Sequence, residues 1–246
     1  MDNYLLFYVL LFAVAFLYSS VGHGGASGYL ALMALFGVAP AVMKPTALML
    51  NLFVALTSFT YYFRGNFFNK KLFWPLAIAS VPMAFLGGSL TLHADIYKKM
   101  LGVFLLIPVA RFLFFRDIEV NETDKPKTLW LMLIGGAVGF LSGLLGIGGG
   151  VILSPILLLL AWTNQKQTAA ISALFIFVNS LSGLFGQITK GIEFSPDMIT
   201  YVVVAFVGGL FGSYFGALRF QQSAIKFLLA MVLMVASFKL FLPNLL

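Results

Sequence analysis

The chain has 246 residues, of which 61% are hydrophobic and only 9% are charged, and its mean hydropathy is +1.01. Soluble domains carry about 25% charged residues, so these values exclude a soluble protein and indicate an integral membrane protein. The net charge of +7 is explained by basic residues in cytoplasmic loops, and no nucleic-acid partner is expected. The absence of cysteine and the presence of only two histidines exclude a disulfide scaffold, a thiolate nucleophile and a histidine-rich metal centre.

Ten apolar runs follow one another along the chain. Eight of them contain about 16 to 21 residues, enough for a helix to cross the hydrocarbon core. These eight runs are 4–21, 46–63, 72–92, 100–115, 129–145, 168–188, 199–218 and 227–242. The other two runs, 29–39 and 151–162, are shorter, and each follows a glycine cluster. We predict that each short run is a half-helix after a break in the preceding helix; whether it crosses or re-enters is left open.

The polar stretch 116–128 (RDIEVNETDKPKT) divides the chain into a first half, 1–115, and a second half, 129–246. Landmarks of the first half recur in the second half in the same order. The GHGG sequence at 22–25 precedes the GIGG sequence at 146–149 by 124 positions. Three further pairs have offsets of 126, 126 and 121: 46–48 with 172–174, 64–65 with 190–191, and 85–88 with 206–209. This order indicates an ancient duplication.

The number of membrane passages fixes how the two halves are related. Each half crosses the membrane an odd number of times if its short run also crosses. If the short run instead folds back with its neighbour as a re-entrant hairpin, the chain still leaves that half on the same side. In both cases the second half is inverted relative to the first. The sequence therefore predicts an all-α membrane protein, a polytopic bundle of two inverted repeats, each with about four crossing helices and one half-helix. Secondary transporters commonly have this architecture. When successive loops are assigned alternately to the two sides of the membrane, ten Lys and Arg residues fall on one side and five on the other. Because the more basic side is usually cytoplasmic, this predicts a protein of the cell inner membrane with both termini on the outer side.

The two glycine clusters are the strongest candidates for a binding site. A glycine-rich turn lets the backbone approach a ligand, and a helix that starts after it offers free N–H donors and a positive dipole end to an anion. The alternative is close packing of helices, which we expect for the pairs at 135–136 and 208–209. The candidate residues are Gly22, His23, Gly24 and Gly25 in the first cluster, and Gly146, Gly148, Gly149 and Gly150 in the second.

Polar residues inside apolar runs are the second group of candidates. Lys44 precedes Pro45, a residue favoured at the first position of a helix, so we expect Lys44 at the N-terminal end of the following helix. A cation is unfavourable there unless an anion accompanies it, although a lysine can also extend to the headgroups. Four more candidates either bind the substrate or hydrogen-bond a neighbouring helix: Thr46, Asn51, Ser172 and Asn179. His23 either donates a hydrogen bond or carries a proton near neutral pH, or it has a structural role.

The acidic residues decide against several functions. All eight fall in predicted loops or at the N-terminus, so no predicted crossing helix carries a carboxylate. This argues against metal catalysis, an acid/base pair, cation binding and a carboxylate proton relay. We therefore expect a neutral or anionic ligand, no cofactor and no enzymatic activity.

Four sequences stand out in the second half: GIGGGVILSP at 146–155, AISAL at 170–174, NSLSG at 179–183 and the Lys190-Gly191 pair. Together they resemble the TauE/SafE family of membrane anion transporters. The resemblance implies export or uptake of a sulfur-containing anion such as sulfite, thiosulfate or an organosulfonate. The first half departs from the pattern, with Ala26 and Ala31 in place of a glycine and the proline. Lys44 also departs from it, and a lysine beside the anion site favours a more highly charged or carboxylate-bearing ligand.

We interpret the sequence as that of a secondary transporter that works by alternating access. The predicted partners are a small anion and the lipid bilayer. An anion channel using the same glycine breaks is the alternative, and the sequence leaves a homo-oligomer open. The identity of the anion, the direction of transport and the driving force are likewise left open.

Overall fold

The computed structural model describes residues 2–20, 25–114, 126–192, 196–219 and 222–241. Within these residues the chain forms ten helices and no strand. They are α1 (Asp2–Ser20), α2 (Ala26–Leu35), α3 (Pro40–Arg64), α4 (Lys70–Ser89), α5 (Ala94–Phe114), α6 (Thr128–Leu145), α7 (Gly150–Leu159), α8 (Gln165–Ile188), α9 (Pro196–Arg219) and α10 (Gln222–Phe241). They coincide in number and order with the apolar runs, which confirms the all-α prediction. Most of the predicted linker lies outside the described residues.

The helices α2 and α7 are short. Each contains ten residues, so each is about 15 Å long, half the thickness of the hydrocarbon core. Each is preceded by a glycine with a positive φ, Gly25 at +75° and Gly149 at +78°. The prediction of a half-helix after each glycine cluster is confirmed.

Four helices in the described part are long and apolar enough to cross a membrane: α3, α4, α6 and α8. Large apolar side chains are exposed on the outside of the bundle; Trp74 of α4 and Trp130 of α6, for example, are each 58% exposed. Trp130 lies in the first turn of α6 and Trp74 in the second turn of α4, near the helix ends where membrane proteins place aromatic side chains at the headgroup level. The outer surface of the bundle is therefore suited to lipid. The other four predicted crossings stay predictions.

Glycines spaced four residues apart hold α6 against α4. A Cβ atom at Gly135, Gly139 or Gly143 would overlap a backbone carbonyl of α4. Small residues at this spacing let two membrane helices approach closely. Gly208 has the same role between α9 and α1, where a Cβ atom would lie 2.6 Å from the Phe12 carbonyl oxygen. The packing role expected for the glycine pairs is thus confirmed at Gly135 and Gly208.

The contacts between helices are reciprocal between the halves. The first helix of each half packs against the fourth helix of the other, α1 against α9 and α6 against α4. The half-helices follow the same rule, since α2 contacts α10 and α7 contacts α5. The pair α3 and α8 lies at the centre of the bundle. In their 18-residue apolar segments 61% and 72% of the residues are buried, against 44% in α4 and in α6. Whatever α3 and α8 enclose is shielded from lipid.

The start of α5 differs from the prediction. It begins at Ala94 rather than near residue 100, so its first turn includes Asp95. Asp197 likewise lies in the first turn of α9. These two acids therefore belong to helices and not to loops, because a carboxylate is favoured at the positive end of the helix dipole. Both lie at helix ends, so neither supplies a carboxylate in the middle of a helix.

The packing of α4 on α6 leads to a prediction about stability. In Gly143→Ala the new methyl group would overlap the Ala84 carbonyl, whereas in Gly136→Ala it would meet Met83 at an ordinary 3.7 Å. We expect Gly143→Ala to destabilise the protein by about 1–3 kcal/mol. Gly136→Ala should stay within about 0.5 kcal/mol of wild type. Unfolding of purified protein in detergent measures both, and equal stabilities would contradict the packing described above.

Candidate functional site

The second glycine cluster forms a buried break between α6 and α7. Gly146, Gly148 and Gly149 have φ angles of +78°, +71° and +78°. Side chains other than glycine adopt this left-handed region only at a cost of about 1–2 kcal/mol per residue, so the sequence needs glycine to make the turn. All residues from Ser142 to Pro155 are buried. The break is therefore an internal feature of the bundle and not a surface loop.

The two sides of this break are satisfied differently. On the α6 side, the Tyr97 hydroxyl donates to the Leu145 carbonyl oxygen at 2.9 Å, and Gly146 N donates to the Ser142 carbonyl at 2.9 Å. On the α7 side, the helix starts with no side-chain cap. The first N–H groups of a helix have no partner within the helix, and buried donors of this kind need an acceptor. The start of α7 is thus suited to an anion or to ordered water.

Other helices of the same chain do have caps. The Asn69 side chain accepts hydrogen bonds at the start of α4, and Asn164 and Gln167 form a reciprocal capping box at the start of α8. These caps lie in the connections between helices. The starts of α2, α3, α6 and α7 have no side-chain cap. At the buried start of α7, Ile152 N donates to the Gly149 carbonyl oxygen at 3.1 Å, so the backbone donors that remain for a ligand are those of Gly150 and Val151.

Helices α3 and α8 enclose the break from the other side. Asn51 of α3 donates through Nδ2 to the Ser180 Oγ of α8 at 3.2 Å. A Cβ atom on Gly148 would lie only 2.6 Å from Asn51 Nδ2 and 3.2 Å from Ser180 Oγ. The loop therefore touches this polar pair directly, and a side chain at position 148 would displace it.

Two asparagine oxygens near the break lack partners. Asn51 Oδ1 and Asn179 Oδ1 are buried and accept no hydrogen bond in the described structure. The Asn179 amide is oriented by its Nδ2, which donates to the Phe175 carbonyl at 2.8 Å. A buried acceptor without a donor costs about 1–3 kcal/mol. A water molecule can donate one hydrogen to such an oxygen and the other to an anion, so these oxygens suit a hydrated anion better than a bare one.

The position of Lys44 corrects the sequence prediction. Helix α3 begins at Pro40, which takes the first helical position, so Pro45 lies inside the helix and Lys44 in its second turn. The Lys44 Nζ donates to the carbonyl oxygens of Gly88 at 3.3 Å and Leu90 at 3.1 Å, at the C-terminal end of α4. The negative end of the α4 dipole thus supplies the partner that we had assigned to an anion.

Lys44 nevertheless lies beside the break. A Cβ atom on Gly146 would be 3.0 Å from Lys44 Cγ. An ammonium group has three donors, and two of them bind carbonyl oxygens, so one is left for a ligand. Lys44 is half-buried, and it joins the end of α4 to the second glycine break.

The remaining candidates have varied outcomes. Thr46 donates to the Val42 carbonyl of its own helix, and Ser172 accepts from Ser154 of α7 at 2.8 Å. Ser172 thus makes the contact with a neighbouring helix that was one of the two predicted alternatives, whereas Thr46 bonds its own helix, which neither alternative described. Gly22, His23 and Gly24 lie outside the described residues. Gly25 begins α2, where a Cβ atom would lie 2.6 Å from the Tyr29 hydroxyl. Among the described candidates, Lys44 and Asn51 lie against the second break, at Gly146 and Gly148.

A cavity of about 390 Å³ lies beside Lys44. Its wall is formed by the start of α3, the connection from α4 to α5, and the end of α8. Tyr97 and Gln187 line it, and neither was among the sequence candidates. Gln187 was detectable as a polar residue inside an apolar run, but Tyr97 was not, because only the tertiary fold places it under the end of α6.

The described residues form an α-helical, multi-pass membrane protein with a buried, glycine-rich break between α6 and α7. The family model described as sulfite exporter TauE/SafE matches residues 7–240. The chain therefore belongs to the TauE/SafE family, as its second-half sequences predicted.

Individual relatives agree with this assignment. Probable membrane transporter protein y4hK of Sinorhizobium fredii is 35% identical over 236 residues, covering 94% of this chain and 96% of the relative. Probable membrane transporter protein YjnA of Bacillus subtilis is 26% identical over 240 residues, covering 89% and 92%. Sulfite exporter TauE/SafE family protein 1 of Arabidopsis thaliana is 32% identical over 94 residues, covering 38% and 21%. No solved structure matches the chain significantly.

The contact between Gly148 and Asn51 can be tested with a matched pair of variants. Gly148 and Gly37 both have a φ of +71°, but a Cβ atom on Gly37 would meet nothing within 4 Å. Gly148→Ala and Gly37→Ala should thus incur the same left-handed backbone strain, about 1–2 kcal/mol. Only Gly148→Ala should also displace Asn51 and slow the uptake of labelled sulfite about tenfold or more, the factor expected for about 1.4 kcal/mol of lost interaction.

Proteoliposomes loaded with equal amounts of folded protein provide the measurement. Gly37→Ala controls for strain and insertion. If the two variants transport sulfite at the same rate, Gly148 has no role in the site beyond its backbone conformation.

Proposed function

We propose that this protein is a secondary transporter that moves a small sulfur-containing anion across the cell membrane by alternating access. The observation that carries the proposal is the buried start of α7, which has no side-chain cap and faces the central pair α3 and α8. The sulfur-containing substrate class comes from the family, whose described activity is sulfite export.

The electrostatics of the break favour a negatively charged ligand. The N-terminus of a helix carries roughly half a unit of positive charge together with free N–H donors. Lys44 lies next to Gly146 and adds a full positive charge with one donor to spare. Two unpartnered asparagine oxygens hold the water that accompanies the anion. The residues assigned to the substrate are therefore Gly146, Gly148, Gly149, Gly150, Lys44, Asn51 and Asn179.

Alternating access would result from motion between the two halves. The reciprocal contacts, α1 with α9 and α6 with α4, give each half the same set of neighbours after exchange. Such an arrangement allows two states that differ by a rocking of one half against the other around a fixed central site. We assign 1–115 and 129–246 to these halves, in inverted orientation, with both termini outside.

Counterflow distinguishes a transporter from a channel. Proteoliposomes preloaded with unlabelled sulfite should transiently accumulate labelled sulfite. Each unlabelled sulfite that is carried outward brings the site to the outer face, where a labelled sulfite takes its place and is carried inward. A channel would equilibrate the label without accumulation. Absence of counterflow with intact sulfite conductance would overturn alternating access and favour the channel.

The role of Lys44 can be separated from its structural contacts. Lys239 provides a control, because its Nζ donates to the Leu35 carbonyl at 2.7 Å and so binds the end of α2 as Lys44 binds the end of α4. Lys44→Met and Lys239→Met should each lose about 0.3–2 kcal/mol of stability. Only Lys44→Met should raise the KM for sulfite, by about fivefold or more. If both variants keep the wild-type KM, Lys44 only stabilises α4.

A further inference from the structure

Beside the glycine break, the cavity of about 390 Å³ presents two groups that the proposed transport site does not use, Gln187 and Lys190, and it shares Lys44 with that site. Its wall contains two lysines, Lys44 and Lys190, and the side chain of Gln187. None of the described residues that line it is an aspartate or a glutamate. Among the described residues, the cationic side chains of the wall therefore face no lining carboxylate.

The helix ends around the cavity oppose the lysines only in part. Three C-terminal ends contribute to the wall, those of α4, α6 and α8, and two N-terminal ends do, those of α3 and α5. Each end carries roughly half a unit of charge, negative at the C-terminus and positive at the N-terminus. Two lysines therefore leave the cavity positive by roughly one and a half units. An anion is the complementary ligand.

Gln187 points independently to a ligand. It is only 4% exposed, and its Nε2 donor is buried without a hydrogen-bond partner in the described structure. A buried amide donor is strongly favoured to find an acceptor. Since Gln187 lines a positively charged cavity, an anionic oxygen is the acceptor that its surroundings would attract.

The rest of the wall selects the chemical class of that anion. Leu90, Leu92 and Leu144 line the cavity together with small apolar residues from the start of α3. Burying a bare inorganic oxyanion against apolar carbon removes its hydration without replacing it. An organic anion can instead place its charged head at the lysines and its hydrocarbon body on the leucines. The volume also exceeds what a four-atom ion needs.

We propose that this cavity is a second anion-binding site, adjacent to the glycine break, which selects a small organic anion through Lys190 and Gln187, with Lys44 shared between the two sites. The inference rests on the proposed function, because it supposes that anions pass through this cavity on the way to or from the break. In this proposal Gln187 and Lys190 determine which organic anion the cavity binds, whereas the residues of the glycine break do not make that selection.

The experiment uses the full-length protein in detergent and butanesulfonate as the probe, with sulfite and chloride at matched ionic strength for comparison. Thermal-shift titrations give the dissociation constants. We expect butanesulfonate to bind wild type more tightly than sulfite does. Gln187→Leu and Lys190→Met should each weaken butanesulfonate binding about tenfold to 100-fold, the effect of losing a hydrogen bond or contact to a charged group.

Two control variants make the result specific. Lys99→Met removes an exposed lysine of α5 that does not line the cavity, and it should leave the affinity unchanged. Gln187→Glu keeps the size of the side chain, so it guards against simple loss of packing in Gln187→Leu. By replacing the donor with a carboxylate, it should weaken binding at least as strongly.

The outcomes separate this inference from the transport proposal. Equal butanesulfonate affinity in wild type, Gln187→Leu and Lys190→Met would overturn the second site, and so would equal affinities of wild type for sulfite and butanesulfonate. Neither result bears on sulfite counterflow, which tests the break. Conversely, Gly148→Ala should retain butanesulfonate binding even where it slows transport, because Gly148 does not line the cavity.

Discussion

An unsatisfied backbone is the constraint on which this structure depends. Inside a bilayer no water reaches the N–H and C=O groups, so a continuous helix is the usual solution and a broken one needs other partners. The chain breaks its helix at Gly146–Gly149 within the buried bundle. The C-terminal end of α6 is satisfied by Tyr97, which donates to the Leu145 carbonyl oxygen. The N-terminal end of α7 has backbone donors but no side-chain cap. The polar environment that surrounds the break follows from this imbalance.

Two lysines bind the C-terminal ends of neighbouring helices. Lys44 binds the carbonyl groups at the end of α4, and Lys239 binds the Leu35 carbonyl at the end of α2. In each case a cation is held in an apolar bundle by the negative end of a helix rather than by a carboxylate. This allows positive charge inside the protein without an acidic residue beside it.

Glycine has two unrelated roles in this chain, and the structure separates them. Along α6, glycines four residues apart allow the backbone of α4 to approach, and their own backbone stays helical. At 146–149, glycines adopt left-handed angles that end one helix and begin the next. The packing glycines set how closely α6 approaches α4, while the break glycines end α6 and allow α7 to begin. Both roles come from the missing Cβ atom, but only the second requires an unusual backbone.

Much of the fold was predictable from local patterns. Apolar runs located all ten helices, and glycine clusters identified both half-helices, because length and hydrophobicity act locally in a membrane protein. Boundaries failed where charge was involved. The run that predicted α5 began at residue 100, since Asp95 and Lys98 interrupt it, although both fit the helix. Pro45 suggested a helix start that Pro40 in fact provides.

The sequence by itself determined the membrane class, the helix order, the two glycine breaks and the family. Only the tertiary structure decided which polar residues meet. Asn51 and Ser180 are 129 positions apart and hydrogen-bond across α3 and α8, while Thr46 and Ser172 turn to backbone or neighbouring helices. Lys44 binds the end of a helix that begins 26 residues later in the chain. Such partners depend on how helices pack side by side, and hydrophobic periodicity along one helix carries no information about its neighbours.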